Sequence, residues 1–157
     1  MKRNAGWLIP LAPCLALFNL SCASSRGDRI GLVEGRLRPC PGSPNCVCSE
    51  DEEKPSHIAP IRFAGDPAAA WRALKDEVTA MGGEIVTERE AYLHATFRTR
   101  IFRFVDDLEC RLDRDADRIH VRSASRLGWS DLGVNRRRVE TLRKRFHRRT
   151  DPEQGGS

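Results

Sequence analysis

Between Phe102 and Arg138 the chain reads FRFVDDLECRLDRDADRIHVRSASRLGWSDLGVNRRR. Aspartates, arginines, serines and an asparagine stand among short apolar runs. A charge taken out of water costs several kcal/mol unless a partner compensates it, so such a segment forms a specific polar network or lines a binding site. Its periodicity is two. Phe102, Phe104, Asp106, Leu108, Cys110 and Leu112 fall on one side of a strand, and Arg103, Val105, Asp107, Glu109 and Arg111 on the other. Asp113 to Arg118 reads as a hairpin turn and Ile119 to Leu127 as the returning strand. Ile119, Val121, Ser123, Ser125 and Leu127 then face inward, and His120, Arg122, Ala124 and Arg126 outward.

Matching the apolar faces sets Leu112 opposite Ile119, Glu109 opposite Arg122 and Asp106 opposite Ser125, because a one-residue slip inverts every side chain. Glu109 and Arg122 then form a cross-strand ion pair, worth about 0.2–1 kcal/mol on an exposed face. Asp106 lands on the apolar side, where a carboxylate must be hydrogen-bonded or neutralised. Ser123, Ser125 and an arginine of the last helix are its available donors, unless a bulge at Val105–Asp107 turns it outward.

The flanking segments supply helices. Asp66 is a candidate N-cap with Pro67 at the first helical position. Trp71, Leu74, Val78 and Met81 make one apolar stripe, and Gly82-Gly83 ends it. Ala91, Leu93, Ala95 and Phe97 alternate with Tyr92, His94, Thr96 and Arg98, the mark of a half-buried strand with His94 on its solvated side. Glu84 to Thr87 reads as a further strand and His57 to Phe63 as an edge strand, since Pro60 excludes a central one. Val139, Leu142 and Phe146 stripe the final helix, capped by Asp131 or Asn135. If Asn135 caps, Arg136 to Arg138 crowd the positive helix end, which a carboxylate such as Asp131 or a bound anion would relieve. Helix, antiparallel strands, helix predicts a two-layer α+β domain.

The N-terminus points to export. Lys2 and Arg3, a short Pro-interrupted apolar run, and Ser21-Cys22-Ala23 follow the plan of a signal peptide. Cys22 resembles the lipidated cysteine of bacterial lipoproteins; cleavage after Ala23 would instead release a free protein. The expected division is a signal peptide over 1–21, a flexible tether over 22–36, one domain over 37–149 and a disordered tail over 150–157. The expected location is a bacterial cell envelope, lipid-anchored and facing the periplasm, the outer membrane favoured over the inner. Net charge is +5 and concentrates at the C-terminal end, which favours anionic partners; export leaves membrane headgroups and removes nucleic acid.

In an oxidising compartment nearby cysteines pair. Cys40–Cys46 would staple the Pro/Gly-rich loop Pro39–Pro44 with roughly 2–2.5 kcal/mol, and Cys40–Cys48 would give nearly the same figure. A metal site of Cys40, Cys46, Cys48 and His57 matches no standard zinc spacing, and no cofactor is implied.

CPGSPNCVCS, FRFVDDLE and RSASRLGWSDLGVNRRRVE together resemble the family of domain of unknown function 1499, over roughly Leu37 to Phe146. The residues that match its motif are Cys40, Pro41, Asn45, Cys46, Asp106, Asp107, Glu109, Arg122, Ser123, Ser125, Arg126, Gly128, Asp131, Gly133, Asn135 and Arg138. The resemblance implies no activity.

The functional expectation is a non-catalytic envelope module that binds an anionic ligand, a lipid headgroup or a protein partner. Arg122, Ser125, Arg126, Asp131, Asn135 and Arg138 are its candidate ligand-binding residues, and Asp106, Asp107, Glu109 and Ser123 its polar network. One alternative is a hydrolase using Asp106 or Asp107 with Ser125, which lacks a G-x-S-x-G elbow, a metal-spaced His pair and a P-loop. Another is an assembly protein that docks a partner on the polar sheet face through Tyr92, His94, Arg103, Val105, Arg122 and Arg126.

Overall fold

A computed structural model describes residues 30–52, 54–98 and 104–151. Its centre is the expected hairpin, β7 (Val105–Asp113) and β8 (Arg118–Ser125), paired antiparallel from Asp106↔Ser125 to Asp113↔Arg118. Glu109 faces Arg122 and Leu112 faces Ile119, so the register follows the matched apolar faces. No bulge interrupts the pairing at Asp106. Asp113 Oδ1 accepts the Ala116 N–H at 3.2 Å across the turn, and Asp117 takes a φ of 49° there.

The remaining strands extend this hairpin on both sides. Following β1 (Leu32–Val33) and β2 (Arg36–Leu37), which form a separate two-stranded sheet, come β3 (Cys46–Cys48), β4 (Ile61–Arg62), β5 (Glu84–Arg89) and β6 (Tyr92–Arg98). The main sheet runs β3-β8-β7-β6-β5, with β4 also on β8, and its neighbours are all antiparallel. The two helices, α1 (Pro67–Ala80) and α2 (Val134–Thr150), close one face to give an α+β fold. Neither is long and apolar enough to cross a membrane.

α1 starts where Asp66 accepts the Ala68 and Ala69 N–H groups and Pro67 follows. It buries Trp71, Leu74 and Val78 against the sheet, while Met81 is only partly buried. Each such apolar side chain contributes about 1.5–3 kcal/mol on burial. The helix stops at Gly82, whose φ of 86° suits glycine. At Gly83 a Cβ would stand 2.7 Å from Phe97 Cζ and 2.8 Å from Val78 Cγ1, so only glycine lets the chain turn this close to the core.

The second sheet face departs from expectation. Alternation predicts a solvated side carrying His94, yet His94, Thr96, Asp107, Glu109, His120 and Arg122 are all buried. The cover comes from earlier in the chain. Leu37, Cys40, Cys46 and Cys48 pack with Tyr92 and Ala124 in a second apolar cluster on this side, and the Gly31 N–H reaches Glu109 Oε1 at 2.6 Å. Residues 31–36, expected in the tether, thus form a hairpin tied to the sheet. The Glu109–Arg122 pair is accordingly enclosed, not exposed. The face that an assembly role would need for docking largely carries the chain's own N-terminal segment.

Two inward assignments also change. Phe104 is exposed because β7 begins only at Val105, and Leu127 is exposed because β8 ends at Ser125 and the chain leaves the sheet. Phe102, Arg103, Cys22 and the rest of the signal segment lie outside the described residues, as does the tail beyond Asp151.

Candidate functional site

The sequence-predicted site residues separate into two groups on opposite sides of the hairpin. On the helix side, Arg138 of α2 points its Nη2 at Asp106 Oδ2 at 2.5 Å, and its Nη1 at Ser123 Oγ (3.0 Å) and Asn135 Oδ1 (2.5 Å). Its guanidinium also lies over the Phe97 ring, 4.8 Å from the centroid, where the aromatic quadrupole favours a cation. Asn135 is fully buried. Its Oδ1 accepts from Ser123 Oγ at 2.6 Å, and its Nδ2 lies within 3.1 Å of Asn45 O, Ser125 Oγ and Asp131 Oδ2. Two hydrogens shared among three acceptors leave that amide saturated. Asn45 Nδ2 donates to Gly128 O at 2.5 Å and so ties the disulfide loop to the same network.

This network also starts the last helix. Gly133 occupies the N-cap position with no side-chain bond of its own, at φ 77°. Asp131 does the work from two residues earlier, accepting the Gly133 N–H at 2.9 Å and the Asn135 N–H at 2.6 Å. The carboxylate stands against the positive helix end beside Arg136 to Arg138. Asp131, Asn135 and Arg138, expected as ligand contacts, are thereby spent on the fold.

On the other side, Arg122 Nη1 meets Glu109 Oε2 at 2.7 Å, while Glu109 Oε1 accepts from the Tyr92 hydroxyl at 2.8 Å. Burial and the Glu109 charge push the Tyr92 hydroxyl pKa far up, so it stays a neutral donor. Asp107 accepts from His94 Nε2 at 2.7 Å and from Arg126 through two nitrogens at 2.8 and 2.9 Å. Burial alone would raise its pKa, but the His94 and Arg126 hydrogen bonds outweigh it and hold the carboxyl down at about 2. The same bond raises the Arg126 pKa.

Here the structure opens a cleft of about 740 Å³. Arg122, Ser125, Arg126 and Asp107 line it together with Arg38, Pro39, Cys40 and Pro41 of the disulfide loop and with Leu127, Gly128 and Trp129 of the turn after β8. Cys40 and Cys46 are bonded and shape the loop; the sequence left Cys48 as a second partner, and Cys48 is a buried free thiol. Arg122 is only 4% exposed. Its Nε, and that of Arg38 in the same lining, are buried without a hydrogen-bond partner among the described residues. Buried charged donors normally find acceptors, so these two Nε atoms depart from that rule. Arg111 Nε is also unpartnered, but Arg111 is not in the cleft wall.

A second cleft of about 440 Å³ lies between the disulfide loop and the start of α2. Its cations are engaged: Arg136 donates to Pro55 O and His57 O, and Lys54 pairs with Asp51. The basic charge of α2 is likewise largely matched. Arg145 and Arg149 converge on the buried Glu77 at 2.7 and 2.6 Å, and hold its pKa down against the desolvation that raises it.

Nucleophilic chemistry finds no foothold in these groups. Ser125 Oγ receives a hydrogen bond from the Asn135 amide, a donor that does not activate it as a base would. Ser49 lies 3.2 Å from His120 Nδ1, but it is 2% exposed and already accepts the Val121 N–H. Burial pushes the Cys48 thiol up to about 11 and the Cys110 thiol further, leaving both neutral.

Arg122, Ser125 and Arg126, expected as ligand contacts, line this cleft, and so do Arg38, Leu127 and Trp129, which were not among the expected contacts. Arg38 lies one residue before the Pro-rich loop, and only the fold of that loop over the sheet brings it opposite Arg122. The exposed Trp129 was the available signal, since an indole in a Gly-flanked polar turn has no core to fill. No curated protein and no solved structure matches the chain. The family described as protein of unknown function (DUF1499) matches residues 36–146, and the chain belongs to that family.

Proposed function

We propose that this protein is a non-catalytic binding module of the bacterial envelope that holds an anionic ligand in the cleft between Arg38 and Arg122. The observation that carries this reading is the pair of buried guanidinium Nε atoms, on Arg122 and Arg38, that lack acceptors in the wall of one cleft. Three arginines and one aspartate stand in that wall. Asp107 is already matched by Arg126 and Arg122 by Glu109, so the positive surplus is the charge of Arg38. Phosphate and carboxylate fit the planar fork of a guanidinium.

The N-terminal sequence supports an anchor at Cys22. From Cys22 to Gly31 an extended chain spans at most about 30 Å. Gly31 is bonded to the same sheet face that carries the cleft. An acylated Cys22 would therefore keep the site close to the membrane surface.

Calorimetric titration of the purified protein with inorganic phosphate, at low and then rising salt, tests the reading. Binding that weakens with salt and falls about tenfold in Arg38→Gln is expected. Absence of binding at millimolar phosphate in low salt, or an unchanged affinity in Arg38→Gln, overturns it.

A further inference from the structure

Accepting the anion reading of the cleft, we infer that its ligand is an amphiphile, an anionic head carrying an alkyl chain, and that the turn after β8 holds the chain. The rim of the cleft is apolar where its wall is cationic. Leu127 and Trp129, which line it, are 69% and 74% exposed. Large apolar side chains held this far into solvent beside a cleft mark a contact surface. No core position requires them there, since β8 has already ended at Ser125.

The turn is held and not loose. Its Gly128 carbonyl accepts from Asn45 Nδ2 at 2.5 Å, and the Arg126 N–H donates to Val105 O at 3.1 Å. Leu127 and Trp129 thus line the same cleft as Arg122 and Arg126 from a fixed turn, without contributing to the core. An indole at the border of a polar and an apolar region is the usual place for tryptophan at lipid interfaces.

Size argues in the same direction. Small-molecule sites occupy roughly 300–1,000 Å³, and this cleft is about 740 Å³. A bare phosphate, with five heavy atoms against about 30 Å³ for a water, fills only a fraction of it. The head therefore sits on Arg38 and Arg122, and the chain leaves over Leu127 and Trp129. The head is a phosphate or a carboxylate; the source is either a free fatty-acid-like molecule or a membrane lipid.

The test compares methyl phosphate, n-octyl phosphate, n-octanol and vesicles containing phosphatidylglycerol against the purified protein, read by calorimetry and tryptophan emission. Each methylene fully removed from water tightens binding about fourfold, so octyl phosphate should bind at least tenfold tighter than methyl phosphate, with a blue shift of emission. Leu127→Ser and Trp129→Ala should each erase most of that gain, so that the ratio of the two phosphate affinities falls toward one. Arg38→Gln should weaken both phosphates equally. Equal affinity for the two phosphates overturns the amphiphile and spares the anion site. Binding of octanol as tight as that of octyl phosphate, or of vesicles alone without the monomeric amphiphile, also overturns it. Failure of both phosphates to bind overturns the anion site itself. Vesicle extraction of a single lipid would identify a membrane lipid as the source, and preference for the monomer a free one.

Discussion

The two faces of the β7–β8 hairpin carry the same chemistry in opposite states of completion. Beneath α2, Asp106, Ser123, Asn135 and Arg138 close on one another, with Asp131 and Asn45 taking up what remains. On the far face, Glu109 with Arg122 and Asp107 with Arg126 are equally well paired. Yet there the Arg122 Nε keeps no partner, and Arg38 stands opposite with the same deficit. A closed network specifies a fold, because every group in it has one satisfactory arrangement. A network with donors left over in a cleft has room for something else. Residue type alone does not separate the two cases; completion does.

The largest effect that would break this comparison lies on the closed face. Asp106→Ala or Arg138→Ala leaves a buried charge without its counterion and should cost about 3–5 kcal/mol in urea denaturation. Replacing both, as Asp106→Leu with Arg138→Met, should recover much of that loss. A single variant as stable as the parent would show that the inner network does not hold the fold.

The disulfide loop walls the open face. Cys40→Ser together with Cys46→Ser should lower stability by about 2 kcal/mol and weaken phosphate binding as well, since Pro39, Cys40 and Pro41 line the cleft. Full binding in that variant would exclude the loop from the site.

Acid sharpens the contrast through Asp107, the depressed carboxyl of the open face, beside the separate contribution of Glu77 under Arg145 and Arg149. The folded pKa of Asp107 lies at about 2, below the ordinary 3.8. A depressed carboxyl stabilises above its unfolded pKa and loses that contribution as pH falls from about 4 through 2. The contribution is up to about 2 kcal/mol at 1.36 kcal/mol per unit, and Asp107→Asn should flatten that part of the stability–pH curve. A curve of the same slope in the variant would assign the acid sensitivity elsewhere.

The smallest expected change in stability is at Arg38. Arg38→Gln should alter it by less than about 0.5 kcal/mol, because Arg38 makes no ion pair among the described residues, while binding falls about tenfold. Comparable losses in both measurements would place Arg38 with the scaffold.

The hairpin register was legible because it depends on period-two alternation and on one turn, both local. Glu109 opposite Arg122 and Asp106 opposite Ser125 follow from those alone. The cap at Asp66, the stripe of α1 and the stop at Gly82-Gly83 are local in the same way. His94 shows where that reasoning ends. Alternation identified the two sides of β6 correctly, but it assigned water to one of them. The segment that excludes the water comes from residues 31–48, brought over the sheet by contacts remote in sequence.

The site divides along the same line. That Arg122, Ser125, Arg126, Asp131, Asn135 and Arg138 form a dense polar segment is evident from their order in the chain. Which of them stay available was decided only by tertiary structure. Arg138 found Asp106 across 32 positions, Asn135 found Asn45 across 90, and Arg38 came to line the same cleft as Arg122. The α+β plan, the hairpin and its charges are written in the order of the residues, because they rest on local periodicity and turn chemistry. The tertiary structure decided which charges are satisfied, because satisfaction depends on partners that the chain supplies from a distance.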